Sequence, residues 1–291
     1  MSMPRPPLTV FYSPAFVVEG KSETVTKARL VAELIEAGKA GEVWLEAPKP
    51  ATRQELEQIH SPEHVRRTFE DKRGFLEVGP WSQPLLDSIL ATTGGMRDAV
   101  KEALEHGRSG SLSSGLHHAR RGSGNGFCQF NGLALAALEA LKKVRKVGIL
   151  DLDAHAGGGT FDILGDDPRV HLADVTVNSF DSWEPTHPRR HFYVEVEEPE
   201  SYLGHVEDAL CSLEPIEFLI YNAGMDTYEK AGGMKGITKD IIRKREKIVV
   251  DWARSRGIPH VFALAGGYKW DGLTLAQVAE LHLLTVQAFA R

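Results

Sequence analysis

The run Val147-Gly148-Ile149-Leu150-Asp151-Leu152-Asp153-Ala154-His155 constrains this 291-residue chain more than any other stretch. Its aliphatic start reads as a buried strand, and it ends in two carboxylates and an imidazole at i, i+2 and i+4. Side chains alternate faces along a strand, so Asp151, Asp153 and His155 are expected on one side. Two carboxylates at the end of an apolar strand are costly to bury unless a positive charge compensates them. A divalent metal does so, and aspartate oxygen with histidine nitrogen is an ordinary zinc donor set. The other reading is that the acids cap the next helix or stay solvated. The adjoining glycines, Gly157-Gly158-Gly159, suit a sharp turn close to a site.

Around this strand the pattern is that of an α/β chain. Strands are expected at 8–12, 43–45, 146–152, 169–177, 191–196, 217–221 and 260–264. Helices are expected at 24–36, 52–59, 84–106, 133–141, 201–213, 238–256 and 273–288, with another starting at Pro62. The helix over 84–106 carries Gly94-Gly95, which implies a break or a close packing contact. His60 and His64 flank the Pro62 start and read as capping or surface residues. The segments Phe218-Leu219-Ile220-Tyr221 and Val261-Phe262-Ala263-Leu264 are apolar throughout, as parallel strands covered on both faces require. No repeat or linker divides the chain, so a single domain over residues 1–291 with a mostly parallel sheet is expected. Sites in such sheets form at the carboxyl ends of the strands.

Three further motifs fall at such places. Asp226, in Ala223-Gly224-Met225-Asp226, is a third candidate metal ligand, or a cap for the next segment of chain. His117-His118 lies in a glycine- and serine-rich stretch over 107–126. In a chain with twelve histidines the pair reads either as chance adjacency or as a general base and its electrostatic partner. Tyr268, after Gly266-Gly267, could donate to a developing oxyanion or simply pack at a strand end.

Taken together and in order, these motifs resemble the histone deacetylase family of the arginase–deacetylase fold, in its bacterial-type or acetylpolyamine amidohydrolase-like form. The corresponding segments are Gly115-Leu116-His117-His118-Ala119, Gly126-Phe127-Cys128, the Asp151–His155 strand end, Ala223–Asp226 and Gly266-Gly267-Tyr268. The resemblance implies a single, roughly eight-stranded parallel sheet flanked by helices on both faces. It implies Asp153, His155 and Asp226 as ligands of zinc, with iron(II) as the alternative. His118 would be the general base, His117 its electrostatic partner oriented by Asp151, and Tyr268 the oxyanion donor. Phe127, Trp183, Gly126 and Gly267 would form the substrate tunnel. Asp151, Asp153, Thr176 and Val177 would hold a structural potassium or sodium ion.

The implied activity is zinc-dependent hydrolysis of an acyl-lysine or of a small acylated amine such as an acetylpolyamine. Two departures stand out. Ala156-Gly157-Gly158 replaces the family's usual His-Gly-Asp or His-Gly-Asn, which leaves His118 without its expected supporting group and predicts a weaker base. The segment 182–190 replaces a loop rich in proline and glycine at the tunnel mouth. The first departure motivates an alternative: a catalytically weak metal-binding module that holds an acylated ligand. An arginase-like ureohydrolase would need further acids for a second metal, and Gly157-Gly158-Gly159 offers none.

Composition narrows the partners. A formal net charge of -6 argues against a nucleic-acid grip. Two cysteines, Cys128 and Cys211, are too few for a disulfide framework. No apolar run reaches membrane-span length, and Met1-Ser2-Met3-Pro4-Arg5-Pro6-Pro7 lacks the apolar core of a signal peptide. A soluble, cytoplasmic protein without nucleic-acid or membrane partners is the expectation.

Overall fold

In the computed structural model, which describes residues 7–18 and 23–291, eight parallel strands form one sheet in the order β2-β1-β5-β10-β9-β6-β7-β8. The strands are β1 (Leu8–Phe11), β2 (Val43–Glu46), β5 (Arg108–Ser111), β6 (Val147–Asp151), β7 (Val170–Thr176), β8 (His191–Glu195), β9 (Phe218–Asn222) and β10 (His260–Ala263). A separate hairpin pairs β3 (Phe75–Leu76) with β4 (Gly79–Pro80). The amino-terminal stretch read against a signal peptide lies, apart from Pro7, outside the described residues. Among those residues no helix is long and apolar enough to cross a membrane.

The central strands are apolar throughout because both faces are covered. On β6, β9 and β10, Val147, Ile149, Phe218, Ile220, Val261 and Ala263 face one core, while Leu150, Leu219, Tyr221 and Phe262 face the other. The first core is closed by α4 (Gln83–His106), α5 (Gly132–Ala140) and α6 (Gly158–Leu164), beside the shorter α2 (Arg53–Leu56) and α3 (Pro62–Glu70). The second is closed by α1 (Glu23–Glu36), α7 (Tyr202–Ser212), α8 (Lys239–Ser255) and α9 (Leu275–Ala290). Period-2 alternation on the strands thus divides the apolar residues between two helical layers.

Besides the hairpin, two elements form where none was expected. The strand β5 forms inside the glycine- and serine-rich segment, between β1 and β10. Close approach selects its small residues: a Cβ on Gly110 would lie 2.1 Å from the Phe262 ring. The helix α6 begins directly on the glycines after His155. The helix α4 runs without a break through Gly94-Gly95. A Cβ on Gly94 would sit 2.1 Å from the Lys49 carbonyl oxygen, so close packing explains the pair.

Candidate active site

Five neighbouring strands, β5, β10, β9, β6 and β7, send their carboxyl-terminal segments to one edge of the sheet, and every candidate residue lies on one of those segments. After β6, Asp153 and His155 converge with Asp226 from the segment after β9. His155 Nδ1 stands 3.1 Å from Asp153 Oδ1 and 3.3 Å from Asp226 Oδ2, and both acids are buried. Asp226 Oδ1 accepts the Ala154 N–H, whereas its buried Oδ2 has no hydrogen bond. A buried carboxylate oxygen without a hydrogen bond, facing a second acid and an imidazole, fits a divalent metal, and three protein ligands leave coordination positions open.

The electrostatics are those of a crowded anionic pocket. Burial opposes charge on Asp153, but the His117 charge and the contact with His155 hold it well below the carboxylate range. Burial and the neighbouring Asp153 charge raise Asp226. Burial disfavours charge on His155 too, yet its contacts with Asp153 and Asp226 raise it to about 10. Behind these groups Lys27 of α1 is fully buried, donating to the Ala265 carbonyl at 3.0 Å and also to the Gly266 carbonyl. Burial lowers its pKa to about 7.

Above the acids, β5 leads into the paired histidines, whose rings lie 3.9 Å apart. His117 Nδ1 contacts Asp151 Oδ2 at 2.8 Å, and Asp151 is fixed in turn by the Asn222 side-chain amide at 2.8 Å, its register partner on β9. Burial works against protonation, but the charges of Asp151 and Asp153 raise His117 to about 10. His118 goes the other way: burial and the His117 charge lower it. At neutral pH one ring is charged and the other neutral, so only His118 has a nitrogen able to take a proton.

One narrow cavity is lined by His117, His118, Asp153, Gly126, Phe127, Cys128, Gly266 and Tyr268, together with Ser114 and Leu116. The structure therefore brings together the metal cluster, both histidines, Tyr268, Phe127 and Gly126. Leu116, Phe127 and Asp181, at the histidine pair and beside it, adopt positive φ angles of 60°, 68° and 59°. Such backbone persists in non-glycine residues only where the surroundings impose it.

Two tunnel assignments need correction. Trp183 is 7% exposed, stacked on Phe161 at 4.4 Å, and donates its indole N–H to Asp174 Oδ2 at 2.7 Å. It belongs to the core and holds the 182–190 segment down. The exposed aromatic residue of this loop is Phe180, 45% exposed, with its ring edge-on to His118 and His155 at 5.0 and 5.8 Å. Gly267 packs against His282 and Met225, and Gly266 takes its place in the lining.

The support of His118 is also different. Its Nδ1 lies 2.8 Å from Asp181 Oδ2, so a carboxylate partner exists, although Gly158 cannot supply it. His60 and His64 are not surface residues. His60 contacts the Arg120 carbonyl at 2.8 Å and accepts the Asn131 N–H at 3.0 Å, while His64 reaches the Gln129 carbonyl at 2.8 Å. Both are buried and tie the start of α3 to the chain that follows His117-His118. Thr176 and Val177 both donate to the Ala154 carbonyl, beside the backbone of Asp153.

Comparison with known proteins gives a family and a fold. A histone deacetylase domain matches residues 21–207. The chain is 29% identical to an uncharacterized protein of Picosynechococcus sp., over 89% of this chain and 91% of that one. It is 30% identical to histone deacetylase 2 of Arabidopsis thaliana and 26% identical to histone deacetylase clr6 of Schizosaccharomyces pombe, over 81% of this chain in each case. It spans about two thirds of those two, 66% and 65% of their lengths. The crystal structure of the HDA15 HD domain shares the fold, with a TM-score of 0.73 over 96% of this chain and 88% of that one at 19% identity.

Proposed function

The chain belongs to the histone deacetylase family of deacetylating hydrolases, and on that premise we propose that it is a zinc-dependent amidohydrolase that cleaves an acyl group from an amine. The observation that carries the reading is the cavity lined together by His118, Tyr268 and Asp153, the last of which clusters with His155 and Asp226. Asp153, His155 and Asp226 would hold the metal, which when bound polarises an amide carbonyl and acidifies a water.

The chain's own groups do the rest. Neutral His118 takes the water proton and returns it to the departing amine. His117, kept charged by Asp151, adds positive potential where negative charge develops and keeps His118 from protonating. The Tyr268 hydroxyl donates to the carbonyl oxygen as it becomes negative. Phe127 and Phe180, both exposed aromatics, suit an aliphatic stem leading to the amide. The substrate class is an acyl-lysine or a small acylated amine. A potassium or sodium ion at the Asp151 and Asp153 backbone with Thr176 and Val177 completes the reading.

The test is hydrolysis of an acetyl-lysine peptide and of an acetylated polyamine by zinc-reconstituted protein, with Tyr268→Phe as the control. Removing one oxyanion donor should lower kcat by roughly 10²–10³-fold. Cleavage of either substrate with full activity in Tyr268→Phe would refute the role given to Tyr268. No cleavage by stoichiometrically zinc-loaded protein would favour a binding module instead. The carboxylate at His118 speaks against that alternative, since a binder gains nothing from an oriented base.

A further inference from the structure

The acid that supports His118 comes from the far side of the loop after β7. The Asp181 side chain is 2% exposed and held on three sides. Its Oδ2 lies 2.8 Å from His118 Nδ1 and accepts the Gly159 N–H at 3.2 Å, while its Oδ1 pairs with the Arg120 guanidinium. The residue sits at φ 59°, directly after Phe180, whose ring also abuts His118. The space it occupies exists only because residue 158 is glycine. A Cβ there would lie 2.3 Å from the Asp181 carbonyl oxygen and 2.6 Å from Oδ1. Position 158 and position 181 therefore compete for one volume beside the imidazole, and this chain fills it from the loop.

We propose that Asp181 is the positioning residue of His118, and that Gly158 is the steric condition for it. An ionised carboxylate only accepts, so Nδ1 of His118 must carry the proton, and the Nε2 lone pair is left for the cavity. Arg120, paired with the other carboxylate oxygen, keeps Asp181 aimed. The loop that sets Phe180 against the His118 ring thereby also sets the orientation of the base. This rests on the reading of His118 as a general base, and the test separates the two.

In zinc-loaded protein, ¹⁵N NMR of the histidine rings reports the His118 tautomer independently of turnover. Wild type should show the Nδ1–H form. Asp181→Ala should lose it and lower kcat on the order of ten- to a hundredfold at unchanged KM. Asp181→Asn keeps a carbonyl acceptor and should restore the tautomer and most of kcat. Glu184→Gln, an exposed acid in the same segment, should change neither. Gly158→Ala should displace Asp181 and mimic its loss, with no further loss when combined with Asp181→Ala. The proposal is overturned if Asp181→Ala leaves the tautomer unchanged, or if Asn fails to restore what Ala removes. If the tautomer shifts as expected while the kcat of an active enzyme does not, Asp181 stands as the partner and the catalytic reading of His118 falls.

Discussion

Arg245 offers the sharpest test of how the site is held from behind. It is the largest fully buried side chain among the described residues and lies in α8, one of the helices that close the second core. Its guanidinium donates to Glu246 Oε1 at 2.9 and 2.6 Å, and Glu246 also accepts the Tyr221 hydroxyl at 2.8 Å. It also donates to the carbonyls of Gly224 at 2.7 Å and Leu152 at 3.3 Å, and to Thr227 Oγ1 at 3.1 Å. Leu152 precedes Asp153, and Gly224 is two residues before Asp226. One side chain thus fixes the backbone that carries two of the three candidate ligands.

Arg245→Met keeps the volume but leaves Glu246 buried without its cation and two carbonyls without a donor. Breaking a buried ion pair from one side costs about 3–5 kcal/mol. At roughly 2–4 °C per kcal/mol for a chain of this size class, Tm should fall by about 6–20 °C. Zinc affinity, read by chelator competition below the new Tm, should fall with it. Adding Glu246→Leu removes the stranded charge and should recover part of the stability. A Tm shift below about 2 °C, or a double variant no better than the single, would refute this account of Arg245.

Packing and burial give two other expected outcomes. Gly94→Ala gains up to about 1 kcal/mol of helix propensity but drives a Cβ into the Lys49 carbonyl, a clash at the upper end of the roughly 1–3 kcal/mol overpacking range, so a net loss of about 2 kcal/mol is expected in urea unfolding. An unchanged urea midpoint would mean that the 49–51 segment yields freely. Burial and the neighbouring His64 lower His60 to about 3, so below its unfolded value near 6.5 the unfolded chain binds a proton that the folded chain refuses. Its contribution to stability is complete above that value and is lost as pH falls toward 3, by about 2 kcal/mol already at pH 5. His60→Gln should flatten the stability difference between pH 7 and pH 5, and an equally steep profile in the variant would sink the assignment.

Local pattern is what makes part of this structure legible in the sequence. The strands β6, β9 and β10 stand out because both of their faces are apolar, and the polar residues at their ends mark the site. The strand β5 escapes such a reading because Arg108-Ser109-Gly110-Ser111 carries no apolar signal. It is a strand because its neighbours leave room for nothing larger, and Ser109 donates to the Thr9 carbonyl at 2.8 Å across the ladder. His60 and His64 resemble surface residues in the sequence because burial of an imidazole depends on carbonyls distant in sequence. The exchange of Trp183 for Phe180 has the same origin. Both are aromatic residues in one loop, and the indole's bond to Asp174 and its stacking on Phe161 decide which turns inward. Asp181 is hidden for a related reason: a left-handed turn that folds an acid back onto a histidine 63 residues away leaves no periodic trace.

The charges of the assembled site make one more connection. Asp151, Asp153 and Asp226 meet behind the cavity, while burial and the neighbouring Asp151 raise Asp174 to about 8, so it is largely neutral at pH 7. Against the three carboxylates, Asp226 counted in the deprotonated form that a metal ligand requires, the standing counter-charge is His117, held protonated by Asp151. The remainder is two negative charges, facing an imidazole that must be neutral to act as a ligand. A divalent cation would match that remainder, and Lys27, lowered to about 7, can give up its proton when it is not needed in the balance. Protons on His155 and Lys27 would be the groups that a metal displaces. Zinc binding should therefore release protons near neutral pH and weaken as pH falls. Proton uptake and release measured by titration calorimetry in buffers of different ionisation enthalpy would expose the linkage, and binding without proton release would contradict it.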